Sequence, residues 1–221
     1  MCFNEATSMT VFLLSFLFFL LLLLRGMIMK DRVDIYASII TLLIGSMQLV
    51  EFFLWKYPRC NPLNHFLSLL IFALLFLQPI IRCLSIHLLF GIKNKSIFFI
   101  MWISVFLFTC IMIYNLQIFQ QLCLCSLPAC PSGCRLRWAT LNLRTTSMTL
   151  FWIFYFILFF LCDLVDFNHG LIRRYPIRYL LFPVTILLAI LYTVTISPKN
   201  VFGSTWCFLA LLYGPLALFR L

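Results

Sequence analysis

From Thr7 to Leu24 the chain carries no charged residue and consists mostly of Leu and Phe. A run of this length and polarity suits one helix across a bilayer, which needs about 20 residues. Six further segments read the same way: Ile35–Trp55, Phe66–Ile81, Ile97–Tyr114, Met148–Cys162, Tyr179–Thr195 and Phe202–Phe219. The third and fifth are short and extend into their flanks, the third as far as Phe90. The last contains Gly203, Gly214 and Pro215, which favour a kink or a re-entrant path. The expected fold is an all-α polytopic transmembrane bundle of about seven spans, with six as the alternative. It forms one domain over residues 1–221, and residues 115–147 form a Cys-rich non-cytosolic loop.

Composition supports this reading. Of 221 residues, 64% are hydrophobic and 10% charged, and mean hydropathy is +1.10. A soluble domain sits nearer half apolar and about a quarter charged. The net charge of +10 comes from basic residues scattered between apolar runs. That distribution suits headgroup anchoring, and the expected partner is the lipid bilayer. Nucleic acid is not expected, because no basic stripe with interleaved aromatics is present.

Before Arg25 the only charge is Glu5, and no small-residue cleavage pattern follows the first apolar run. We therefore expect a retained first span rather than a signal peptide. With seven spans, Arg25, Lys30, Arg32, Arg82, Lys93, Lys95, Arg173, Arg174, Arg178 and Arg220 share one side. Lys56, Arg59, Arg135, Arg137, Arg144 and Lys199 share the other. The richer side faces the cytosol by the positive-inside rule. The N-terminus is then non-cytosolic and the C-terminus cytosolic. On that orientation the sequon at Asn94 is cytosolic and stays unglycosylated.

The cysteines are skewed in the same sense. Cys2, Cys60, Cys123, Cys125, Cys130, Cys134 and Cys207 fall on the non-cytosolic side, and Cys83 and Cys162 lie toward the cytosol. Disulfides persist in oxidising compartments, so the first group are candidate disulfide cysteines. The loop spacing C-x-C-x4-C-x3-C departs from the paired C-x2-C of familiar zinc sites. Two disulfides are preferred there over metal or lipidated thiols, and the pairing stays open. No cofactor or metal is expected.

Ionisable and amide side chains inside spans are costly and tend to be functional or paired. Gln48, Glu51 and Trp55 fall on one face of the second span. Glu51 is either a proton- or cation-binding carboxylate with Gln48 as neighbour, or an interfacial residue reaching the headgroups beside Lys56. Gln78 precedes Pro79, where a kink is expected and the amide can satisfy a freed carbonyl or cross to another helix. Asp163, Asp166 and His169 read as an ordinary helix terminus with charges pairing in solvent. His65 and His87 read as packing or hydrogen-bonding histidines.

Several short stretches, in order along the chain, resemble a family of multipass membrane proteins of bacteria and large DNA viruses. The opening Met1-Cys2-Phe3-Asn4-Glu5-Ala6-Thr7-Ser8 is similar to its M-C-F-S-x-x-x-S start, with Asn4 in place of Ser. Gln48-Leu49-Val50-Glu51 with Trp55 resembles its Q-x-x-E-x-x-x-W segment. Gln78-Pro79 and Gly203-Ser204-Thr205-Trp206-Cys207 resemble two later motifs. The resemblance implies about seven spans and no established activity. On the expected topology Cys2, Cys60 and Cys207 meet at the outer boundary, so a bridge between two of them is a further expectation.

Three function classes follow, in order. The first is a structural or interaction protein that meets a protein partner at the Cys-rich loop. The second is a small transporter or channel with a polar path near Glu51. The third is an intramembrane lipid-modifying enzyme using some of Glu51, His65 and Asp163. No catalytic residue is assigned.

Overall fold

The computed structural model describes residues 4–122, 124–128, 136–139, 146–168 and 212–219, with 184, 185, 187–189 and 191. Its main helices are α1 (Glu5–Ile28), α2 (Arg32–Lys56), α3 (Pro62–Phe90), α4 (Lys95–Gln121), α5 (Thr146–Asn168) and a short α6 (Tyr213–Leu218). Strands β1 (Leu127–Pro128) and β2 (Leu136–Arg137) pair antiparallel between α4 and α5. Among the described residues, five helices (α1 to α5) are long and apolar enough to cross a membrane. The all-α fold is therefore shown, and the five long apolar helices among these residues are consistent with an integral membrane protein. The sixth and seventh apolar segments lie largely outside the described residues. Within them, residues 184, 185, 187–189 and 191 and all of α6 are helical.

Capping residues set where the helices begin. Asn4, Asp31, Asn61 and Asn94 each accept a hydrogen bond from the backbone two or three residues on, satisfying donors that the first turn leaves open. Pro62 follows the cap of α3, where its missing N–H costs nothing. Gly91 ends α3 at φ 75°, a left-handed conformation that glycine adopts freely, and its N–H returns to His87 and Ile86.

Every long helix outruns its apolar segment. Polar ends are tolerated outside the hydrocarbon, and helical hydrogen bonding continues until a cap stops it. The largest difference is at α4. Residues 115–121 were expected in the Cys-rich loop but are helical. Asn115 bonds its own helix and accepts from Ser147, while Phe119 is buried against Phe72.

α1 and α2 form an antiparallel hairpin, α2 leads antiparallel into α3, and α4 and α5 form a second hairpin. α5 packs parallel to α3, closing the bundle. The core is aromatic: the Phe72 and Phe151 ring centroids lie 4.8 Å apart, and those of Phe108 and Phe151 lie 4.9 Å apart. The α1–α2 contact uses small residues instead. A Cβ on Gly45 would fall 2.6 Å from the Ser15 Cβ, and close backbone approach of this kind drives association where the surroundings are as apolar as the helices. The outer face of α1 exposes Leu13, Leu17, Leu20 and Leu24, as a lipid-facing helix should.

Candidate functional site

The bundle end where α2 stops and α3 starts is covered by the segment between α4 and α5. Gln48 and Glu51 on α2 are completely buried, and Trp55 is half-buried on the same face. Trp138, just beyond β2, is 2% exposed and points into the bundle. Its indole Nε1 donates to Glu51 Oε1 at 3.0 Å. Glu51 therefore does not reach the headgroups beside Lys56. A loop residue meets it inside the protein, and the Lys56 ammonium sits over the Phe52 and Tyr57 rings instead.

The other arm of the loop is bound to α3. Asn64 is fully buried and exchanges two hydrogen bonds with Ser126: its Nδ2 donates to the Ser126 carbonyl at 3.0 Å, and the Ser126 N–H donates to Asn64 Oδ1 at 2.9 Å. Ser68 Oγ donates to Ser126 Oγ at 2.8 Å, and the Ala139 N–H donates to the same Ser126 oxygen at 3.1 Å. The Leu124 N–H donates to His65 Nδ1 at 3.1 Å. Ser126 thereby joins α3 to both arms of the hairpin. Buried polar groups satisfied in this way define one geometry, because each unmet bond would cost about 1–3 kcal/mol.

A disulfide between Cys60 and Cys125 completes the attachment, with Cα atoms 5.4 Å apart and a sequence separation of 65. This corrects two expectations. Cys125 pairs with Cys60 and not with another cysteine of the loop. Cys60 does not bridge to Cys2 or Cys207. The reason is positional: the chain reverses after α2 and again after α4, and the hydrogen bonds around Ser126 bring these reversals together. Cys2, Cys123, Cys130, Cys134 and Cys207 lie outside the described residues. Among the described residues, no group of three or more His, Cys, Asp or Glu side chains could hold a metal ion.

The opposite end is also cross-linked by polar side chains. Arg82 is 7% exposed, donates from Nε to the Tyr36 hydroxyl at 2.8 Å, pairs with Asp163, and stacks over Phe159 with its guanidinium carbon 5.0 Å from the ring centre. Asp163, whose side chain is 30% exposed, therefore pairs across to Arg82 of α3, not with neighbours at its own helix end. Asp166 and His169 lie outside the residues whose side chains are described. The Tyr155 hydroxyl donates to Gln78 Oε1 at 2.6 Å, so the amide beside Pro79 crosses to α5. Arg25 forks onto both oxygens of Asp34 (2.6 and 2.7 Å) and donates to the Leu218 and Ala217 carbonyls of α6.

His65 and Arg82 stand at opposite ends of α3, about 25 Å apart at the helical rise of 1.5 Å per residue. No single site combines Asp163 with Glu51 and His65. Sequence reasoning missed Trp138, Asn64, Ser68, Ser126, Tyr36 and Tyr155. Of these, Trp138 alone carried a signal, as the one aromatic residue between Gln121 and Thr146.

No protein-family model, curated protein or solved structure matches the chain.

Proposed function

We propose that this protein is a multipass membrane interaction protein whose recognition surface is the Cys-rich hairpin between α4 and α5. The observation that carries the reading is that both arms of the hairpin end in buried anchors, Ser126 on Asn64 and Trp138 on Glu51. A loop held by a disulfide and two buried polar contacts is preorganised, which lowers the ordering cost of binding a partner. Glu51 serves here as an anchor for the hairpin. The touching rings of Phe72, Phe108 and Phe151 fill the core between α3, α4 and α5, which favours anchoring over a polar path through that core.

The full architecture we propose has seven spans, with the hairpin and the N-terminus on the non-cytosolic side. The Cys60–Cys125 bond supports that side, since disulfides persist in oxidising compartments. An impermeant maleimide applied to sealed cells should label Cys60 and Cys125 only after reduction. Labelling that requires permeabilisation would reverse the orientation.

The functional test is a photocrosslinker placed at Arg137, which is exposed on β2. A discrete protein adduct should form in cells, vanish in Cys60→Ser/Cys125→Ser, and persist in Glu51→Gln, which keeps an acceptor for Trp138. If instead Glu51→Gln abolishes solute flux in reconstituted vesicles while the fold and the disulfide persist, the transporter reading replaces this one.

A further inference from the structure

Among the described residues, Cys83, Cys110 and Cys162 take no part in the hairpin anchorage, and two of them meet. Cys83 on α3 and Cys162 on α5 are both completely buried, and their Sγ atoms lie 3.0 Å apart. We propose that they form a redox couple: a buried dithiol that closes to a disulfide and ties α3 to α5 within the bundle.

The geometry carries this in three ways. A disulfide needs its sulfurs about 2.05 Å apart, so closure asks for an approach of about 1 Å and not for a rearrangement of helices. The approach is guided, because the neighbouring residues are already linked. Arg82 pairs with Asp163 beside the thiols, and Gln78 accepts from Tyr155 roughly one and a half to two turns away. These contacts hold the parallel helices in one register, so the sulfurs meet in the resting fold. Complete burial then selects the oxidant. A water-soluble protein oxidoreductase cannot reach either sulfur, whereas a small neutral hydroperoxide needs only a local opening of the bundle.

The chemistry balances with that class of oxidant. The sulfur of one cysteine gives up its proton and attacks a peroxide oxygen. The O–O bond breaks, one water leaves, and a sulfenic acid remains. The second cysteine sulfur then attacks the sulfenic sulfur; the S–S bond forms, the S–O bond breaks, and a second water leaves. Two thiols have lost two electrons and hydrogen peroxide has become two waters. A dithiol reductant reverses the step by thiol–disulfide exchange through a mixed disulfide once the bundle opens locally.

The test uses the full chain in membrane vesicles. The vesicles are exposed to hydrogen peroxide, denatured in N-ethylmaleimide, digested and analysed by mass spectrometry. Before oxidation, Cys83 and Cys162 should carry maleimide and Cys60 and Cys125 should not. After oxidation the two buried cysteines should lose maleimide together, appear as one cross-linked peptide pair, and separate again with dithiothreitol. In a parallel measurement the thermal midpoint of the oxidised protein should rise, and that of Cys83→Ala/Cys162→Ala should not respond. The proposal is overturned if both cysteines keep their maleimide across the peroxide series while the midpoint stays fixed. It is equally overturned if either joins a different cysteine, such as Cys110.

Discussion

Trp138 and Arg25 each join segments that are far apart in sequence through one polar side chain. In Trp138→Phe the ring is kept but the N–H to Glu51 is lost. The expected cost is about 1–3 kcal/mol, the penalty for removing one partner from a buried polar group. Thermal unfolding of the purified protein in detergent measures it, and a Trp138→Phe midpoint equal to wild type would show that the contact contributes nothing. Arg25→Ala removes the guanidinium from Asp34, whose side chain is 2% exposed, and from the α6 carbonyls. Breaking a buried pair by deleting one partner costs about 3–5 kcal/mol. Arg25 is itself 26% exposed, so solvent screening should bring the cost below that range. The double variant with Asp34→Ala should recover part of the loss, because no buried charge is then stranded. In the sequence both Arg25 and Arg82, the partner of Asp163, look like headgroup anchors. Each is next to an apolar run, and nothing local shows that Asp34 or Asp163 will turn inward to meet it.

At the scale of elements, the α1–α2 contact depends on the absence of side-chain atoms. Gly45→Ala would put a methyl within 2.6 Å of the Ser15 Cβ. The helices must then separate, and overpacking of this kind costs about 1–3 kcal/mol. The pairing double variant Gly45→Ala/Ser15→Gly should restore most of it, read as the recovery of the thermal midpoint. The existence and type of α1 to α5 were legible in the sequence, since long uncharged apolar runs have few other solutions. Their ends were less so. α4 continues past Tyr114 because Phe119 finds a buried place and Asn115 a partner on α5, and both contacts involve residues distant in the chain.

For the whole molecule, covalent closure ties the arm of the hairpin at Cys125 to the turn at Cys60 between α2 and α3. The Cys60–Cys125 bond closes a loop spanning 65 positions, which by chain entropy contributes about 4 kcal/mol. Reduction should therefore lower the thermal midpoint and open residues 124–128, the arm that carries Cys125, to proteolysis. Cys60→Ser alone should reproduce both effects. An unchanged cleavage pattern on reduction would mean that the Asn64–Ser126 and Trp138–Glu51 contacts suffice to hold the loop.

Hydropathy alone determined that this chain is a helical membrane protein, because lipid leaves a long apolar segment little choice but a helix that satisfies its own backbone. It also singled out Glu51, Gln48 and Gln78, since polar groups in apolar runs stand out against their surroundings. Which groups these residues meet was decided by tertiary structure. Trp138 on Glu51, Tyr155 on Gln78, Cys125 on Cys60 and Cys162 on Cys83 all join positions from separate elements. Such contacts follow from how helices pack and where chain reversals coincide, and neither is encoded in the local pattern of any one segment.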